Sequence, residues 1–504
     1  MKILVKYKIE VIILFSLIAA YFILRLPNLT LQPIFADEAI YVRWAQVMRA
    51  EPTLRFVSVT DGKTPLFMWF LIPIFKIFKD PLFAGRFLSV VSGFFTLLGV
   101  FFLTKKVFNI KAALWASFFY VITPYTVFFD RMALVDSMLS SFTIWIIYFA
   151  IWLRERLRLD LAMILGYLMG GAILTKTPGL INLLILPFSI IAFKRQGKNS
   201  LLKLFILWGV TIVIALIMYN MLRLGPEFNK LSSRNADYVF SFQELKPRPL
   251  DPFIPHFHDM SDWFPKLFTI PTLIFIALGI FYSLKKFNNR ALVVLIWTAV
   301  PLLFSMTFLR TFTARYLLTS IAPSLVFAGY GLNQLLEKVK FQKSVKVIVA
   351  LIIVLPLSLQ FDYQLLVSPP PQSLPKEERI GYFEDWTAGY GFKDIANYIL
   401  GKSQPKAGHP LDDKKVVLGT DGFFGTLPDG IQIYLDKANV AIVGSTATIS
   451  AQVRNAARDN KTYFIGNKKN LEGKVKNVIL IKEYPKAKSA DGSFDSTVLY
   501  QVLP

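Results

Sequence analysis

Cysteine is absent from all 504 residues, which excludes disulfide scaffolds, thiolate metal sites and cysteine nucleophiles. Charge is scarce too: 18% of residues are charged, against roughly 25% in soluble globular proteins. Acidic residues are the scarcer sign, 33 against 56 Lys and Arg, for a net charge of +23. What fills the chain instead is apolar: 54% hydrophobic residues, 46 of them Phe, and a mean hydropathy of +0.49. Such a composition excludes disorder and an ordinary soluble enzyme. It leaves a polytopic α-helical membrane protein with a soluble appendage. The excess of positive charge by itself fits either nucleic acid or an anionic lipid surface, and its placement decides between them.

Lys2, Lys6 and Lys8 precede an apolar run from Ile9 to Leu24, with no small-residue cleavage site after it. This reads as an uncleaved first span entering from the cytoplasm. Runs of membrane-crossing length follow near 84–104, 112–128, 134–153, 161–174 and 179–193, then near 201–222, 264–284, 291–309, 316–335 and 345–367. The sum is about eleven spans on a window of roughly 19 residues. Basic clusters alternate with them: Lys105, Lys106 and Lys111; Arg154, Arg156 and Arg158; Lys194, Arg195, Lys198 and Lys203; Lys285, Lys286 and Arg290; Lys338, Lys340, Lys343 and Lys346. All fall on the side of the N-terminus, as the positive-inside rule requires. The charge therefore reflects topology in a lipid bilayer, and no nucleic-acid partner is expected.

The division that follows is a membrane domain over 1–367, with outer loops at 27–80 and 223–265, and an extracytoplasmic α/β domain over 368–504. In the tail, β-rich runs are expected at Val416–Leu418, Ile431–Leu435, Val440–Val443 and Val478–Ile481, with helices near Phe392–Leu400 and Ala447–Ala457.

The informative residues are charges that sidedness does not explain. Asp37 and Glu38 follow the first span; Lys63 stands in Asp61-Gly62-Lys63-Thr64-Pro65; Arg131 and Asp136 flank Met132-Ala133-Leu134-Val135; Lys176 precedes Thr177-Pro178; Arg315 precedes Tyr316. By the span count all lie at the outer face, at headgroup depth. Snorkelling to the interface accounts for any one of them alone. Together they make a pattern, because charges near hydrocarbon are costly and usually functional. Convergent cations suit a lipid phosphate, and an adjacent carboxylate suits a general base.

At these residues the chain resembles the GT-C superfamily of integral-membrane glycosyltransferases, in particular bacterial family 39. Asp37-Glu38 is similar to the superfamily's acidic signature in the first outer loop. The segment from Arg131 to Asp136 resembles the Arg-Tyr-x-x-x-Asp of protein O-mannosyltransferases. Lys63-Thr64-Pro65, Thr175-Lys176-Thr177-Pro178 and Ala314-Arg315-Tyr316 resemble the Lys-Pro-Pro, Thr-Lys-Gly-Pro and Arg-Tyr segments of the aminoarabinose transferases that modify lipid A. Trp386-Thr387-Ala388-Gly389-Tyr390-Gly391 resembles the tail of bacterial family 39 relatives. Thr64 and Met132 depart from these patterns, so neither subfamily's substrate carries across.

The resemblance implies a polyprenyl-phosphate-linked sugar as donor and an acceptor hydroxyl on a protein, glycan or lipid. It implies Asp37 as the base, with Glu38 beside it, and Asp136 as the residue that orients a cation or a sugar hydroxyl. Lys63, Arg131 and Arg315 would hold the donor phosphate, with Lys176 as a further candidate. One base and one leaving group imply single displacement with inversion, in contrast to the two-carboxylate route of retaining hydrolases. No cofactor is required; a divalent cation at Asp37 and Glu38 is the metal alternative, and zinc at His256 and His258 a second. Two rival classes are a transporter or flippase of a lipid-linked sugar and a receptor anchored by its spans. The absence of an internal repeat and the location of the charges at span ends weigh against a transporter; eleven spans weigh against a receptor.

Overall fold

The structure, a computed structural model, describes residues 8–194, 196–403, 415–446, 448–489 and 491–504. Lys2, Lys6, Arg195 and Ala447 lie outside the described residues. The chain divides into two units. One comprises residues 1–28, 53–69 and 86–375; the other comprises 29–52, 70–85 and 376–504. Two stretches of the first long loop thus group with the tail.

The first unit is helical. Its main helices are α1 (Lys8–Arg25), α3 (Pro81–Val107, shared at its start with the second unit), α4 (Ile110–Ile122), α5 (Pro124–Asp130), α6 (Val135–Glu155), α7 (Leu159–Thr175) and α8 (Ser200–Asn220). After them come α9 (Phe253–Leu267), α10 (Ile270–Lys285), α11 (Asn289–Phe308), α12 (Leu318–Lys338) and α13 (Lys343–Val367); α2 (Ala36–Ala50) belongs to the second unit. Among the described residues, five helices are long and apolar enough to cross a membrane, or up to seven if two bent pairs each count as one span. Of the other apolar runs, 9–24 lies on α1 and 316–335 largely on α12, both unbroken, and the rest fall on shorter or broken helices. The run at 112–128 breaks by 59° between α4 and α5, and α9 meets α10 at 108°. Residues 177–192 form short 3₁₀ and α turns instead of one helix.

Proline explains the first break. Pro124 has no N–H to offer the Tyr120 carbonyl, so the helix cannot run on unbent. The carbonyls released at such a break need other donors, since hydrocarbon supplies none. Arg25 provides them: Nη2 donates to the Tyr120 oxygen at 3.1 Å and Nη1 to the Val121 oxygen at 2.9 Å. Its Nε pairs with Asp130, at the end of α5, at 3.0 Å.

The bundle packs closely around α12, which lies against α4, α6, α10 and α11. A Cβ on Gly331 would stand 2.1 Å from the Phe275 oxygen of α10, and one on Gly329 would stand 2.3 Å from the Ala116 nitrogen of α4. Glycine here lets the backbones touch. Gly166 of α7 does the same against the Thr211 oxygen of α8, while Gly170 makes room for the Met218 side chain.

Three of the basic loops meet at one end of the bundle. Lys106 at the end of α3 pairs with Glu155 at the end of α6 at 2.6 Å, and Arg290 at the start of α11 reaches the same carboxylate at 2.8 Å. The alternation of the clusters with the apolar runs anticipates this gathering.

The second unit carries a five-stranded sheet of order β4-β3-β5-β7-β6, from β3 (Val416–Asp421), β4 (Val440–Ser445), β5 (Lys461–Asn467), β6 (Val478–Pro485) and β7 (Ser496–Val502). Strands β4, β3 and β5 are parallel, whereas β7 runs antiparallel to both β5 and β6. Helices α14 (Phe392–Ser403), α15 (Thr426–Gln432) and α16 (Ala451–Asp459) accompany it. Val453, Phe464, Leu471 and Val498 form a buried core. The expected strand at Ile431–Leu435 is instead the end of α15 and the turn after it. Ile431 and Leu435 are four apart and both buried, a helical spacing that a short apolar run does not distinguish from a strand. Strands β5 and β7 are absent from the sequence reading.

A small second sheet joins β1 (Ile34–Phe35) to β2 (Ala388–Gly389) in antiparallel register. It ties α2 to the tail. Gln46 of α2 donates to the Ile433 oxygen at 2.8 Å, and Arg43 and Arg49 both pair with Asp436.

Candidate active site

Asp37 and Glu38 stand in the first turn of α2, within the second unit. The positive end of the helix favours carboxylates at this position. Glu38 acts locally, since its carboxylate accepts from the Phe35 N–H at 3.0 Å and its side chain is fully buried. That closes the N-terminus of α2. Asp37 is half-buried on the adjacent helical position, about 100° around the helix axis from Glu38. The two carboxylates therefore diverge, because the segment is helical and not extended.

In the first unit, three predicted residues converge. Lys176 follows the end of α7, where Pro178 prevents a further turn, and its ammonium meets Asp136 of α6 at 2.6 Å. The same ammonium lies 3.9 Å from the ring centre of Tyr316, and the Arg315 guanidinium lies 5.2 Å from that ring. Tyr316 is thus flanked by two cations. The turn that carries it, Ala314–Leu317, is held by Tyr125, whose hydroxyl donates to the Ala314 oxygen at 2.6 Å. Asp136 and Arg315 are buried and Lys176 half-buried. Such a grouping sets fixed positive charge around a face already partly compensated by one carboxylate, which suits a phosphate.

Lys63 belongs to a separate local network. Its ammonium lies 3.4 Å from Asp61, which also pairs with Arg234 at 2.8 Å. Gly62 between them has φ +70°, the left-handed region that favours glycine. Arg131 is fully buried, and its terminal nitrogens donate to the carbonyls of Arg25, Pro27 and Asn28 at 2.7, 2.9 and 3.0 Å. It fastens the end of α1.

The sequence reading names neither Tyr316 as a cation platform nor the Arg25–Asp130 pair. Arg25 carried a signal, as a lone cation at the far end of the first span. Among the described residues no group of three or more His, Asp or Glu side chains is placed to hold a metal. His256 and His258 sit on α9, a helix where the sequence suggested a loop. His256 is buried, stacks on Phe312 at 4.2 Å and bonds the Met306 oxygen through Nδ1, whereas His258 is exposed.

Residues 62–222 match the family model described as dolichyl-phosphate-mannose-protein mannosyltransferase. No curated protein matches the chain. Among solved structures, ArnT from Cupriavidus metallidurans in the apo state is 15% identical with a TM-score of 0.59, covering 97% of each chain. The same protein bound to undecaprenyl phosphate gives 15% identity and a TM-score of 0.57 over 98% of each chain. The Archaeoglobus fulgidus oligosaccharyltransferase, in its complex with Zn and sulfate, is 14% identical with a TM-score of 0.54, covering 96% of this chain and 72% of that one. The resemblance found at the charged motifs therefore extends to the architecture: the chain shares its fold with these two solved membrane proteins, and its residues 62–222 match the mannosyltransferase family model.

Proposed function

We propose that this protein is an inverting glycosyltransferase that moves a sugar from a polyprenyl-phosphate donor to an acceptor hydroxyl at the extracytoplasmic face. The observation that carries this reading is the grouping of Lys176, Arg315 and Asp136 around Tyr316. It occurs in a chain whose fold is shared with a protein solved with undecaprenyl phosphate bound.

In the reaction, the acceptor oxygen attacks the anomeric carbon as the bond from that carbon to the phosphate oxygen breaks. The electron pair leaves with the polyprenyl phosphate, and the acceptor proton passes to the Asp37 carboxylate. Lys176 and Arg315 offset the charge that grows on the phosphate, a preorganised electrostatic role. Asp136 holds Lys176 in position. Arg131 contributes by fixing the turn after α1, and Lys63 supplies further positive charge. Glu38 supports Asp37 by closing the first turn of α2. The reading requires no metal.

Purified protein in lipid, given a panel of polyprenyl-phosphate sugars and acceptors, should release free polyprenyl phosphate only with a matching donor. Movement of intact donor across the bilayer without release would favour the flippase reading. Arg315→Ala should weaken donor binding by about tenfold or more, the scale of a lost charge-assisted contact, with the unfolding temperature unchanged. An unaltered donor affinity removes Arg315 from the phosphate site. For sidedness, a reporter fused after Leu503 that works only in the cytoplasm should stay silent. Activity there places the tail, and Asp37 with it, on the opposite face.

A further inference from the structure

In an open sheet with parallel strands, ligands bind beyond the carboxyl ends of the strands, where connections depart in opposite directions. Strand order β4-β3-β5 puts such a point between β3 and β5. The residues gathered there are polar. Asp421 ends β3 and accepts from the Asn470 amide at 3.0 Å; Asn467 ends β5 and accepts from Lys486 at 2.6 Å. Lys486 is buried, donates also to the Asp385 carbonyl at 2.8 Å and lies 3.7 Å from Asp495. Burial holds its ammonium below the usual lysine range, against the pull of Asp495 and Asp385.

Beside this polar floor stand large aromatic rings that folding leaves in solvent. Phe423 is 67% exposed and Trp386 51% exposed. Phe423 directly follows Asp421-Gly422 and lies against Gly444 at the end of β4, while Trp386 follows Asp385 and reaches within 3.8 Å of a Cβ built on Gly425. The hydroxyl of Thr426, next to Gly425, is buried without a hydrogen-bond partner among the described residues.

We propose that the carboxyl end of β3 and β5, with Trp386, Phe423 and Asn470 at its mouth, binds an oligosaccharide, the acceptor of the transferase proposed above. The identification as acceptor rests on that reading; the binding does not. A sugar ring offers an apolar C–H face that packs on an aromatic ring, and hydroxyls that both donate and accept. Asp421 accepts, the Asn470 amide donates, and the two sit beside exposed rings. An anionic lipid surface is the poorer fit, since Asp385, Asp421 and Asp495 share this end of the sheet. A dinucleotide is poorer as well, because the glycine-rich turn after β3 lacks the phosphate-binding spacing.

The test uses the full chain in lipid nanodiscs on a printed array of defined neutral and acidic oligosaccharides. Wild type should be retained by one structural class of glycan. Trp386→Ala and Phe423→Ala should each weaken that retention by about tenfold, as truncation of an aromatic anchor does, and Asn470→Ala should weaken it with the fold intact by circular dichroism. Release of polyprenyl phosphate to water as acceptor should be unchanged in all three. Retention of no glycan by wild type, or equal retention by the variants, overturns the proposal. So does loss of vesicle binding or of polypeptide binding in place of glycan binding. Failure of the transferase reading looks different: glycan is retained, and no donor is ever cleaved.

Discussion

Asp37→Asn is expected to abolish most of the transfer, by about 10²–10⁴-fold, the usual worth of general-base assistance. Donor affinity and folding should stay at wild-type levels. The amide keeps the size of the side chain and its capacity to accept a hydrogen bond near the start of α2, but it cannot take a proton from the acceptor. Glu38→Gln predicts a different pattern. Its oxygen can still accept from the Phe35 N–H, which is the contact made by the native carboxylate, so activity should fall less than in Asp37→Asn. Measuring turnover and donor affinity separately decides the matter. Wild-type turnover in Asp37→Asn excludes a base role, and lost donor binding with lost turnover assigns the residue to structure or to a metal.

The second large effect concerns stability. Asp130→Ala leaves the buried Arg25 guanidinium without its countercharge, and breaking a buried ion pair by removing one partner costs about 3–5 kcal/mol. The site has little room to adapt. Asp130 also accepts from Tyr120 at 3.1 Å, and a Cβ on Gly93 would stand 2.4 Å from its carboxylate. Replacing both partners by Leu should recover only part of the loss. Arg25 donates to the Tyr120 and Val121 carbonyls at the Pro124 break. The Thr126 hydroxyl still serves Tyr120 at 2.6 Å, but a Leu takes the Arg25 donor from Val121 in an apolar interior. Unfolding in detergent of Asp130→Ala, Arg25→Leu/Asp130→Leu and wild type tests the account. A loss below about 1 kcal/mol in Asp130→Ala, or full recovery in the double variant, is incompatible with it.

The order of these costs follows from how the sequence encodes the two regions. Apolar runs, basic loop clusters and Pro124 are local signals, and local signals suffice to declare a helical membrane unit. The charged motifs at span ends were equally legible, since a carboxylate or cation beside hydrocarbon stands out against an 18% charged background. Their order along the chain carried the GT-C resemblance that the fold shares.

Contacts between residues distant in sequence were beyond that reading. Nothing local tells that Arg131 reaches back 106 positions to the Arg25 carbonyl, or that Lys176 and Arg315 flank one tyrosine ring. The helical form of 36–50 was hidden as well, because its mixed polarity gives no clean apolar stripe. Its grouping with the tail depends on β1 pairing with β2 and on Asp436 holding Arg43 and Arg49. The sequence by itself thus determined the class of protein, its apolar helices and the charged residues worth suspecting, because hydropathy and charge are properties of single positions. Only the tertiary structure decided that Arg131 fastens a helix end, that Glu38 caps α2 and that Asp37 belongs with the tail unit, because hydrogen bonds and ion pairs are properties of pairs that folding selects.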